Sequence, residues 1–163
     1  MLTLKSSFFV EKGIQTVWNF LNKVEDLAFC MPTCKKLDII DEKTVDTVLQ
    51  INLGRLPIQS EARFTITETV PPSKLVATGL IFFGRSMGGF WKMLDREAEA
   101  EVRIVLDLSP VGEGKTCLDY LIEIKADGRL RKIYDAVIKA KGEEIERTFV
   151  KNVNDKISGR SGI

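Results

Sequence analysis

Residues 129–157 read RLRKIYDAVIKAKGEEIERTFVKNVNDKI, the one long segment in which apolar residues recur at helical spacing over many turns. Leu130, Tyr134, Ile138, Ile145, Phe149 and Val153 fall on one stripe at steps of four, four, seven, four and four. Arg131, Lys132, Asp135, Lys139, Glu143, Glu146, Arg147 and Lys151 occupy the opposite, solvated face, with Asp135/Lys139 and Glu143/Arg147 spaced for acid-before-base pairs. Asp127 is the expected N-cap and Gly159 the expected stop. Lys141 and Gly142 fill the gap in the stripe. A mid-helix glycine costs about 1 kcal/mol against alanine, so a kink or a close approach is expected there. Such a stripe requires a broad apolar surface to cover.

The rest of the chain supplies that surface as strands. Leu2, Leu4, Phe8 and Val10 alternate with Thr3, Lys5 and Ser7 over 2–10, a half-buried strand. After Gly13 the period changes: Ile14, Val17, Trp18 and Leu21 sit at helical spacing, and a second short helix over 24–30 ends before Pro32. Strands are expected over 36–40, 44–51, 61–70, 74–84, 97–108 and 116–126, parted by turn signals at Asp41-Glu42, 54–57, Pro71-Pro72, Gly88-Gly89 and 112–114. Ala98, Ala100, Val102, Ile104, Leu106 and Leu108 oppose Glu99, Glu101, Arg103 and Asp107, which gives one dry face and one wet face. Leu118, Tyr120, Ile122 and Ile124 repeat the alternation, as do Ala62, Phe64 and Ile66. One strand, two short helices, six strands and a long helix describe an α+β helix-grip fold, a curved antiparallel sheet of about seven strands around the terminal helix.

Composition bounds the function. A chain of 163 residues is most simply one domain. Twenty-four basic against 23 acidic residues leave a net charge of +1, no field for nucleic acid. The N-terminal residues lack the order of a signal peptide and no apolar run approaches a membrane span, so a cytoplasmic protein is expected. There is no histidine, which removes Ser-His and Cys-His nucleophiles. Cys30, Cys34 and Cys117 are too few for a thiolate zinc site without a carboxylate or water, and we expect neither a metal nor another cofactor.

Five short words run in order along nearly the whole chain: Trp18-Asn19-Phe20-Leu21; Glu25-Asp26-Leu27-Ala28 leading to Cys30-Met31-Pro32; Leu53-Gly54-Arg55-Leu56; Glu68-Thr69-Val70-Pro71-Pro72; and Gly114-Lys115-Thr116-Cys117-Leu118-Asp119-Tyr120. As a set they resemble the carbon monoxide dehydrogenase CoxG group of the START/Bet v 1-like superfamily. Two places depart from that group: Thr33 stands where it usually carries glycine, and residues 128–132 are basic where it is usually apolar. The resemblance implies an accessory protein of a carbon monoxide dehydrogenase-type molybdenum hydroxylase, handling quinone and associating with the inner face of the cell membrane.

The fold pattern implies an apolar cavity between helix and sheet, since one helix cannot fill a deeply curled sheet. Its expected lining is Leu130, Tyr134, Ile138 and Lys141 from the helix, with Phe64, Ile66, Val102, Ile104, Leu118, Tyr120 and Ile122 from the sheet. The expected ligand is a hydrophobic small molecule, a lipid or a quinone. Two other readings stay open: an enzyme of the polyketide cyclase or dehydratase type, also found in this superfamily, and an interaction module with a filled core. Cavity-facing polar groups beyond Tyr120 and Lys141 are scarce, which disfavours the enzyme. Residues 82–94 combine three glycines with Met87, Phe90 and Trp91: either a hairpin that finishes the core or an apolar cavity mouth. With Arg129, Arg131 and Lys132 they would form one docking surface for an anionic membrane.

Overall fold

The structure, a computed structural model, describes residues 2–83, 100–126 and 128–158. Segments of period two form strands β1 (Leu2–Val10), β2 (Cys34–Ile39), β3 (Thr44–Leu53), β4 (Leu56–Val70), β5 (Lys74–Phe83), β6 (Ala100–Pro110) and β7 (Thr116–Ala126). Segments of helical period form α1 (Ile14–Leu21), α2 (Val24–Cys30) and α3 (Gly128–Ile157). The strands make one antiparallel sheet in the order β1-β7-β6-β5-β4-β3-β2, so the first two strands of the chain stand at its opposite edges. This is the helix-grip architecture expected from the element order.

Boundaries differ from the expected ones where a turn is tighter than its composition suggests. Residues 54–57 read as a four-residue turn, yet Gly54 at φ 65° reverses the chain so quickly that Leu53 already pairs with Leu56 and Pro57 lies within β4. The expected start of β6 at 97, the hairpin glycines, the Asp127 cap and the Gly159 stop lie outside the described residues.

One face of the sheet is apolar because every second residue points to it. Against one end packs the C-terminal half of α3: Val153 is fully buried with Val17, Trp18 and Leu21 of α1 and Leu75, Leu106 and Leu118 of the sheet. Burial of each such leucine stabilises by about 1.5–3 kcal/mol. Against the other end, Tyr134 and Ile138 of α3 cover Ala62, Ile81, Ala100, Val102 and Ile124. Phe64 and Ile104 touch both clusters. Asn152 Nδ2 donates to the carbonyl of Cys30 at 2.9 Å, fastening α3 to the end of α2. Among the described residues an added Cβ at Gly142 would meet Ile138 alone, at an ordinary 3.6 Å, so none of them makes the close approach expected there, and α3 runs through it as one helix.

The outer face is not uniformly wet. Val76 and Val105 pair across β5 and β6 and are buried, with half-buried Leu121 beside them on β7. Asp46 of β3 is 1% exposed and paired with Arg63 of β4, whose Nε and Nη2 donate to its two oxygens at 2.6 and 2.8 Å.

Candidate functional site: the inner face between sheet and helix

The registers set the inner face out in rows. Phe64, Gly79, Val102 and Ile124 form one; Ile66, Ala77, Ile104, Ile122 and Leu4 the next; Leu75, Leu106, Tyr120 and Ser6 a third; Leu108, Leu118 and Phe8 a fourth. All seven expected sheet residues, Phe64, Ile66, Val102, Ile104, Leu118, Tyr120 and Ile122, therefore share this face, with no one-residue slip. Tyr134, Ile138 and Lys141 of α3 are half-buried. Leu130 lies in the first turn of α3, and its side chain is outside the described residues.

Burial is uneven along the rows. Ile66, Val102 and Leu118 are buried, whereas Phe64, Ile104, Ile122 and Tyr120 keep part of their surface accessible. The Phe64 ring lies across its cross-strand neighbour Gly79, where an added Cβ would come within 2.5 Å of Phe64 Cε1. A side chain at Gly79 would thus push the ring away from the sheet.

Tyr120 is the centre of the polar part. Its ring packs on Phe8, with centroids 6.3 Å apart, and Phe8 meets Phe149 of α3 edge-on at 6.4 Å. Burial first, and then the adjoining Glu146 carboxylate, push the Tyr120 phenol up to about 12; the Ser6 hydroxyl acts in the opposite sense. Glu146 was expected on the solvated face of α3 and instead is half-buried beside Tyr120. The reason is geometric: apolar steps of four advance about 40° each around a helix of 3.6 residues per turn, so the stripe winds and carries residue 146 to its edge.

The folded protein holds the Tyr120 proton more tightly than the unfolded chain does. Its contribution to stability is full below about pH 10 and is lost as pH rises through about 12. Urea midpoints measured across that window should fall more steeply for the wild type than for Tyr120→Phe.

Among the thiols, burial pushes Cys30 up to about 11 and also raises Cys34 and Cys117, which keeps them protonated. Among the described residues no group of three or more His, Cys, Asp or Glu side chains is placed to hold a metal ion. Of the expected docking surface, Arg131 and Lys132 are exposed at the start of α3; Met87, Phe90, Trp91 and the side chain of Arg129 lie outside the described residues. Among the described residues no helix is long and apolar enough to cross a membrane.

Residues 7–158 match the sequence profile of CoxG, the G-type component of carbon monoxide dehydrogenase. The chain belongs to the CoxG family. No curated protein matches this CoxG-family chain in sequence. Among solved structures it is similar to a conserved protein from Geobacillus kaustophilus, with 22% identity over 96% of this chain and 95% of that one and a TM-score of 0.75. A START superfamily protein from Mycobacterium smegmatis shares 11% identity over 96% and 97% of the two chains at a TM-score of 0.60. The Zhui aromatase/cyclase from a Streptomyces species shares 14% over 98% and 95% at 0.57. These likenesses show that the CoxG-family chain has the START/Bet v 1-like fold.

Proposed function

We propose that this CoxG-family protein is a non-enzymatic carrier that holds a lipid-like or quinone-like molecule between sheet and α3, in support of a carbon monoxide dehydrogenase-type molybdenum hydroxylase at the membrane surface. The observation that carries the carrier reading is the incomplete burial of Ile104 and Ile122. Both sit in interior strands on the face that α3 covers, where a filled core brings side chains to near zero exposure, as it does for Leu75 and Leu118. Accessible apolar surface at that place supports a space that an apolar guest would occupy. The family supports the link to carbon monoxide dehydrogenase.

Native mass spectrometry of the purified protein, followed by organic extraction, tests this reading. The expected result is a co-purifying apolar molecule at up to one per chain. A chain that emerges empty and takes up no added apolar probe would favour the filled-core module instead.

The membrane part of the proposal rests on Arg131 and Lys132, exposed together at one end of α3, and on the apolar residues of 84–94. Each cation near an anionic surface contributes up to about 1 kcal/mol. Co-sedimentation with phosphatidylserine vesicles at low salt should therefore drop by roughly tenfold in Arg131→Glu/Lys132→Glu, and wild-type protein that ignores such vesicles refutes it.

A further inference from the structure

We infer that the free edge of β2 is a self-association surface, on which the strand pairs antiparallel with β2 of a second copy of this chain across a two-fold axis at Leu37. The inference is independent of what the inner face holds.

β2 closes one side of the sheet, and the direction of its main-chain groups follows from the ladder beside it. Ile40 N–H donates to the carbonyl of Thr44 at 3.0 Å, and Gln50 N–H to the carbonyl of Thr33 at 2.8 Å. Hydrogen-bonded and non-hydrogen-bonded pairs alternate in an antiparallel ladder. Asp38 and Lys36 therefore exchange bonds with Asp46 and Val48, while Leu37 and Ile39 turn their N–H and C=O groups away from β3. Among the described residues those outward groups have no main-chain partner. A further strand would satisfy them.

Charge selects the strand and its register. A two-fold axis at Asp38 sets two acids against each other, and one at Lys36 sets two lysines. An axis at Ile39 puts Asp38 against Ile40 and overlaps only the end of the strand. An axis at Leu37 sets Lys36 opposite Asp38 twice, in the non-hydrogen-bonded pairs that bring side chains closest. Asp38 lacks such a partner within one chain. It faces Asp46 across the ladder, Arg63 is committed to Asp46, and among the described residues no cation pairs with Asp38. With Lys36 of the second copy added, the outer-face row holds two acids between two cations.

The same register answers Lys35, the extra residue at a bulge in β2. It comes opposite Ile39 of the second copy, which lines a cleft of about 280 Å³ with Asn22, Lys23, Glu25, Asp41 and Glu42. Three carboxylates against one lysine make the cleft acidic, and it has room for a lysine side chain. Ile39 and Ile40, each more than half exposed, gain apolar cover from the Lys35 stem and from Cys34. Lysine on an edge strand ordinarily wards off a second strand. Here both lysines meet acid. The opposite edge offers no such match, because β1 carries Lys5 and no acid to receive it.

Six residues a side make a small interface, so the dimer is weak and shows itself at high concentration. Sedimentation velocity between about 10 µM and 1 mM should show the wild type moving from one chain toward two. Lys36→Glu leaves acids at both 36 and 38, and Asp38→Lys leaves lysines at both. Each should weaken self-association at least about tenfold. Mixed in equal amounts, the two variants should associate as tightly as the wild type does, since every acid then faces a lysine. Local damage by either substitution would not be undone by mixing. Lys36 and Asp38 are both exposed, and if one variant still fails to fold, salt decides on the wild type: its dimer should weaken as sodium chloride rises. A dimer that salt leaves unchanged overturns the inference. A wild type that remains a single chain throughout overturns it as well. So does a dimer that Lys36→Glu leaves intact, or a mixture of folded variants that does not associate.

Discussion

Arg63→Met should lower the unfolding free energy by about 2–4 kcal/mol, although Arg63 is a third exposed and lies on the outer face, away from the face that α3 covers. The cost comes from the partner left behind. Asp46 is 1% exposed, both of its oxygens are bonded to Arg63, and its neighbour across β2 is Asp38, a second acid. Without the guanidinium the Asp46 carboxylate has lost two charge-assisted hydrogen bonds and sits opposite a like charge. The figure is set below that for a fully buried pair because removing a partly exposed cover lets water reach the acid. Asp46→Leu/Arg63→Met removes both charges and should recover most of the loss, to within about 1 kcal/mol of wild type. Urea denaturation of the three proteins checks this, and an Arg63→Met chain as stable as wild type would show that the pair contributes nothing net.

The second large effect is on binding. Gly79→Val should cut affinity for an apolar guest at least about tenfold while costing less than about 1 kcal/mol of stability. The valine Cβ would meet the Phe64 ring, which must swing away from the sheet. Where the ring goes decides between the readings. If space lies between sheet and α3, the ring enters it cheaply and takes the volume from the guest. If the core is filled, overpacking should cost about 1–3 kcal/mol and no binding would be there to lose. Phe64→Ala/Gly79→Val gives the volume back and should restore uptake. Paired thermal melts and fluorophore titrations on these variants separate the two outcomes.

Most of the fold was legible because two signals agreed. Ala100, Val102, Ile104 and Leu106 recur at every second position, and a period of two leaves no choice of face once one side is buried, so the inner face could be written down residue by residue. Continuing the same alternation along β4 would have placed Glu68 inside. A bulge between Ile66 and Glu68 adds a residue, returns Glu68 to the outer face and brings it within 3.9 Å of Lys74. Nothing in the composition of that stretch announces the extra residue. The pairing of Asp46 with Arg63 was equally silent, because it depends on which strands are neighbours and not on local pattern. Glu146 was misplaced for a third reason: a stripe of fixed spacing winds about the helix, and a residue at its margin changes sides over the length of α3. Glu146 was therefore hidden, while Tyr120, on a strand of clean alternation, was visible from the start.

The strand order bears on how the molecule is made. β1 precedes the other six described strands along the chain, yet among them its partner in the sheet is β7, with Leu2 opposite Ile124. That pairing is not available to β1 until the chain has been synthesised through β7, and α3, which covers the inner face, comes later still. The meander from β2 to β5 can assemble early, but it does so with an uncovered apolar face. Contacts of such long sequence separation slow folding to milliseconds or seconds in comparable domains, and an exposed sheet invites aggregation in the interval. Chains stalled or truncated before α3 should accumulate as holdase clients or inclusion bodies, so a sheet built on this plan depends on completion of α3 for its solubility.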